Sequence, residues 1–141
     1  MSCRIVALVL AGTFVVLWVT DLGPGLITVV REGPKLRQHI TALTIEGVPA
    51  EQAIARIMGN ASKPLPVALC RSLASRPVTL YLEGGTRLDR ALEGVAHQLE
   101  ARLTWYVSMD PGSVGKAYPE FWCPEGTPQE FMTLSPAGQW R

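Results

Sequence analysis

Between Val78 and Val107 the spacing of apolar positions changes twice. Val78, Leu80 and Leu82 alternate with Thr79 and Tyr81, which predicts a strand with one buried face. Leu88, Ala91, Leu92, Val95, Ala96, Leu99 and Leu103 then recur at steps of three and four, the stripe of a helix lying on a core. Glu83-Gly84-Gly85 marks the changeover. Thr86, three residues before Asp89, has the spacing of a capping box, in which its oxygen would accept from the backbone N–H near Asp89. Leu103 to Val107 is β-branched and aromatic and predicts another strand.

A degenerate copy of this unit lies upstream. Thr41 to Gly47 aligns with Val78 to Gly84, and after a one-residue gap Val48 to Ile54 aligns with Thr86 to Leu92. Pro49 would take the first helical position, where its missing N–H costs nothing. Ala53, Ile54, Ile57 and Met58 form the apolar stripe, and Gly59-Asn60 is the stop. After Lys63-Pro64-Leu65-Pro66, Val67 to Cys70 predicts a further short strand, and Arg71 to Ser75 the connection to Val78. Two copies fit a pair of strand–helix units sharing one small sheet.

The doubled pattern strand-E-G-(x)-[T/V]-x-x-[D/E]-x-A-[L/I], followed by L-T-W-Y-V, resembles the short N-terminal (STN) domain of secretins and TonB-dependent receptors. The resemblance covers residues 38–108 and implies an α+β fold, βαββαβ, a small mixed sheet with two helices on one face. It implies a cell-envelope protein–protein interaction module, an adaptor in secretion or in transport and signalling. The partner would be a secretion, pilus or anti-sigma component, and no reaction is implied. Such a module can bind by adding a strand to an open sheet edge. The candidate edge residues are Thr41, Leu43, Thr44 and Ile45 in the first unit and Thr104, Trp105 and Tyr106 in the last strand. The alternative class is a small exported ligand-binding protein or hydrolase.

The flanking segments set the expected location. Ile5 to Thr20 is uncharged, about 16 residues against the ~20 a spanning helix needs, and Arg4 precedes it. Residues 1–25 are therefore expected to be a signal peptide or a membrane anchor, which places the rest in the periplasm or cell envelope, held to the membrane if uncleaved. Residues 26–37 read as a linker in which Leu26 to Val30 could form a strand. Residues 109–141 read as a Pro/Gly-rich tail opened by the turn Asp110-Pro111-Gly112-Ser113. Its aromatics Tyr118, Phe121, Trp122, Phe131 and Trp140 are expected to pack on the parent domain, and Lys116 to Trp122 could return along the last strand as a hairpin.

A net charge of +1 with basic and acidic residues intermixed offers no attraction for nucleic acid. His39 and His97 lie at no ligand spacing from a cysteine or each other, so neither metal nor cofactor is expected. Glu46, Glu83, Asp89 and Glu93 could pair for acid–base work, but two end strands and Asp89 is accounted for by capping, so no enzyme is expected. Gly84-Gly85-Thr86 lacks the lysine of a phosphate loop. With Cys3 in the N-terminal segment, Cys70 and Cys123 would pair in an oxidising compartment or remain two free thiols.

Overall fold

The computed structural model describes residues 33–107 and 117–141. The expectations placed on residues 1–32 and 108–116 lie outside the described residues; these are the signal peptide or anchor, the Leu26 to Val30 strand and the Asp110 turn. Gly33–Tyr106 and Tyr118–Arg141 belong to one compact unit. After a helical turn over residues 33–36, the order is β1 (His39–Ile40), β2 (Leu43–Pro49), α1 (Ala50–Gly59), β3 (Val67–Cys70), β4 (Pro77–Leu82), β5 (Thr86–Arg87), α2 (Leu88–Leu99), β6 (Leu103–Val107), β7 (Ala117–Phe121) and β8 (Phe131–Leu134). A 3-10 turn, Arg71–Leu73, links β3 towards β4. The protein is α+β, with mixed sheets and two main helices.

Both helices bury the stripe their spacing predicts. Ala53, Ile54, Ile57 and Met58 of α1 are buried, as are Leu88, Ala91, Leu92, Val95, Ala96 and Leu99 of α2. The helices pack on the antiparallel pair β2–β4 and on each other. A Cβ added to Gly94 of α2 would lie 3.2 Å from Leu80 Cδ2 on β4, so the two elements approach closely there. In β4 Val78 is buried, Leu80 and Leu82 are half-buried, and Thr79 and Tyr81 are exposed, the expected alternation.

The strands do not join one sheet. They form β1–β5, β2–β4 and a four-stranded sheet in the order β6-β7-β3-β8. The internal similarity predicts β3 beside the two units, but both of its sides are filled from the C-terminal segment. β7 runs parallel to it, with Ala68 opposite Glu120 and Leu69 opposite Phe121; β8 runs antiparallel, with Val67 opposite Leu134 and Cys70 opposite Phe131. Phe121 and Leu134 are fully buried there, so the C-terminal strands supply part of the core. Trp140 also packs inward, its indole N–H donating to Glu51 O at 3.2 Å. β7 and β6 are neighbours, as the hairpin expectation had it for the described part of that stretch.

The helix starts differ from expectation by a residue. Thr86 is extended because it pairs with Ile40, and its hydroxyl donates to Glu83 O at 2.7 Å, closing the turn rather than capping the helix. Arg87 is the N-cap without a side-chain bond, and Leu88 N–H donates to Gln38 O at 2.8 Å. Asp89 instead pairs with Arg87 and accepts from Arg90 N–H at 2.9 Å. Pro49 is the N-cap of α1, one position before the expected one. Ala50 N–H donates to Arg76 O at 2.8 Å and Glu51 N–H to Ala74 O at 3.1 Å, so backbone carbonyls satisfy amides a side chain would otherwise cap.

Candidate functional site

The expected partner-binding residues fall on two strands. Thr41 lies outside any strand, its hydroxyl donating to Asn60 Oδ1 at 2.6 Å. Leu43, Thr44 and Ile45 lie in β2, with Ile45 in the core and Thr44 exposed. Thr104, Trp105 and Tyr106 lie in β6. The two groups belong to different sheets, so the structure does not bring them into one site.

Which main-chain groups face outward follows from the pairings. On β4, Thr79 gives its N–H to Gln98 Oε1 at 2.8 Å, and its carbonyl accepts from Gln98 Nε2. The main chain of Thr79 therefore points away from β2, and antiparallel alternation turns Leu80 and Leu82 towards β2. Their partners Ile45 and Leu43 face back, which leaves the N–H and carbonyl of Thr44 on the open side of β2. Opposite Thr79 the ladder shifts at Glu46-Gly47, where Gly47 adopts φ +58 and its N–H donates to Thr79 Oγ1 at 2.9 Å. Such a bulge, with glycine in the left-handed region, lets the chain turn straight into α1.

On β6 the same logic turns Thr104 inward. Trp122 N–H donates to Arg102 O at 2.9 Å, and Tyr106 stacks on Tyr118 with ring centroids 4.9 Å apart. β6 and β7 therefore run in opposite directions, and alternation turns the main chain of Thr104 towards β7. The groups left on the open edge are those of Leu103 and Trp105. Thr104 is thus an inward main-chain position on an edge strand, which type and spacing alone do not reveal.

Two other edges are covered in part. Gln98 occupies β4 at Thr79. On β8, Thr133 and Arg141 exchange two main-chain bonds of 3.0 Å, and Leu134 bridges Trp140. Among the described residues no strand pairs with the outer side of β2 or of β6.

Beside β6, between it and the first half of α2, opens a cleft of about 230 Å³ whose lining includes Leu36, Leu92, Leu103, Trp105 and Pro119. Asp89 and Glu93 stand at its rim, paired with Arg87 and Arg90. The cleft can accept an apolar side chain. The opposite face of β6–β7 carries Tyr106, Tyr118 and Trp122, with the Arg102 guanidinium 5.9 Å from the Trp122 ring centre. Tyr118 is held above its usual pKa by burial, then by Tyr106 and Glu120 nearby. Tyr81 is also raised, by the hydrogen bond its hydroxyl donates to Glu46.

Cys70 and Cys123 form a disulfide, their Cα atoms 4.9 Å apart, tying β3 to the residue pair that follows β7. His39 and His97 are exposed. Among the described residues no three His, Cys, Asp or Glu side chains could hold a metal ion, and no helix is long and apolar enough to cross a membrane. No family model, curated protein or solved structure matches the chain.

Proposed function

We propose that this protein is a cell-envelope adaptor that binds a partner protein by strand addition, in the manner its resemblance to the STN domain of secretins and TonB-dependent transducers implies. The observation that carries the reading is the outward main chain of Thr44 on β2 and of Leu103 and Trp105 on β6, sides with which no strand pairs among the described residues, while Trp140–Arg141 cover β8. Proteins blunt edges that must not pair, so an edge left open is a docking surface. The Cys70–Cys123 bridge is compatible with an oxidising compartment and supports an exported location. The partner is a secretion, pilus or anti-sigma component of the envelope.

Affinity capture from membranes tests this with variants chosen by the main-chain geometry. Thr44→Pro removes an outward N–H from β2. Comparing Trp105→Pro with Trp105→Ala separates the outward N–H of β6 from the indole. Capture of the same envelope protein should fall with a proline at Thr44, or further with Pro than with Ala at Trp105, and should survive Gln52→Ala on the exposed side of α1. Equal effects at all three positions would overturn the edge reading.

A further inference from the structure

The side chains along the open edge of β6 are their own complement. From Arg102 to Tyr106 the order is Arg-Leu-Thr-Trp-Tyr. The outward main-chain groups belong to Leu103 and Trp105. Those of Arg102 and Thr104 turn towards β7, since Arg102 O accepts from Trp122 N–H at 2.9 Å. An antiparallel strand bonds such an edge by setting its own outward residues opposite Leu103 and Trp105. A second β6, rotated about a two-fold axis at Thr104, meets that demand. Its Trp105 stands opposite Leu103 and its Leu103 opposite Trp105, and each pair exchanges two main-chain bonds.

The cross-strand pairs of this register are all compatible. On the cleft side the half-buried Leu103 and Trp105 meet Trp105 and Leu103 of the second copy, extending the apolar lining they share with Leu36, Leu92 and Pro119. On the other side Arg102 comes opposite Tyr106 of the second copy. Both are exposed, Tyr106 at 43%. The Arg102 guanidinium already lies 5.9 Å from the Trp122 ring centre, and the facing Tyr106 gives it a second ring. Thr104 meets itself at the axis, uncharged, its hydroxyl accepting from the Trp122 indole N–H. No like charges face each other, and Asp89 and Glu93 at the cleft rim are paired with Arg87 and Arg90 of their own chain. A register centred on Trp105 would set Thr104 against Tyr106 and take Arg102 away from the second ring.

We propose, on the reading that the open edges of this protein capture strands, that β6 pairs with β6 of a second copy about a two-fold axis at Thr104. The adaptor is then a homodimer joined through its four-stranded sheets, and the outward Thr44 of β2 is left for the envelope partner.

Sedimentation equilibrium of the full-length, oxidised chain in detergent micelles tests this. The expected result is a monomer–dimer equilibrium whose dissociation constant is at least about tenfold higher for Tyr106→Arg than for Tyr106→Glu. Both variants lose the stacking on Tyr118, but the first sets like charges opposite each other at both ends of the strand pair and the second opposite charges. Thr104→Cys in a Cys3→Ser background should form an intermolecular disulfide, because Cα atoms of a non-hydrogen-bonded pair lie about 4.5 Å apart. Gln52→Cys, on the exposed side of α1, should not. A chain that stays monomeric, equal dissociation constants for the two Tyr106 variants, or no bridge at Thr104→Cys overturns the proposal. If the chain is monomeric while capture of the envelope protein falls further with Trp105→Pro than with Trp105→Ala, strand addition at β6 stands and the second-copy assignment falls. A dimer with the expected Tyr106 and Thr104 behaviour that captures no envelope protein leaves this inference standing and removes the adaptor reading.

Discussion

Removing the Cys70–Cys123 bridge is expected to cost about 3–4 kcal/mol. The two cysteines are 53 positions apart in sequence. Closing a loop of that length removes about 14 cal/mol/K from the unfolded chain, worth about 4 kcal/mol at room temperature, and residual structure in the unfolded ensemble lowers the figure. The bridge also fastens the parallel contact of β3 with β7, which joins segments separated by β4, β5, α2 and β6. Parallel pairing across so long a crossover is entropically expensive, so the covalent tie acts where loop closure is most costly. Urea unfolding of oxidised protein against Cys70→Ala/Cys123→Ala measures it. With a slope of about 1–3 kcal/mol per molar, the midpoint should fall by about 2 M. Alkylation of the folded protein without reductant should leave Cys70 and Cys123 unlabelled. Labelling of both, or a difference below about 1 kcal/mol, would refute the reasoning.

Three further outcomes follow from particular contacts. Glu100 ends α2 at φ 52, a left-handed conformation that a Cβ disfavours, so Glu100→Gly should stabilise by about 0.5–1 kcal/mol in chemical denaturation, and a loss of stability would contradict the assignment. Gln98→Ala removes both bonds to Thr79; because the side chain is exposed the cost should be about 0.5–1 kcal/mol, with faster amide exchange at Thr79, and no change in that exchange would show that the edge is not closed by Gln98. The carboxyl of Glu120 is raised by burial, so the native state holds its proton more tightly than the unfolded chain. Its contribution is present below the ordinary carboxylate range, about pH 4, and is lost as pH climbs through the raised value. Glu120→Gln should therefore gain stability relative to the parent between pH 3.5 and pH 7; a pH-independent difference in urea midpoints would contradict this.

Local periodicity made both helices legible, because an apolar stripe reports burial whatever it packs on. Ile54, Ile57, Leu92 and Val95 are buried where their spacing places them. The alternation of β4 was legible for the same reason. Sheet membership was not. The similarity of the two strand–helix units predicts one shared sheet, yet β3 takes both of its neighbours from beyond Val107, a non-local choice that leaves no periodic trace. β7 carries Pro119 within its span and sits in a Pro/Gly-rich segment, which hides a strand whose Phe121 is fully buried. The cysteine pair was visible as a possibility because only Cys70 and Cys123 lie outside the N-terminal segment. Gln98 was invisible, since an exposed glutamine on a helix flank carries no sign that its amide mimics a strand. Of the candidate edge residues, Leu43 to Ile45 lie in β2 and Thr104 to Tyr106 in β6 while Thr41 lies in neither, and the outward position on β6 is Trp105 rather than Thr104, a distinction set by the bond from Trp122 to Arg102.

Photo-crosslinking in intact cells addresses the adaptor reading most directly, with a photoreactive residue placed in turn at Thr44, Trp105 and Gln52. Adducts to one envelope protein from Thr44 or Trp105, and none from Gln52 on the exposed side of α1, are the expected result. Adducts formed equally from Gln52, or no adduct from either edge, would contradict capture by strand addition.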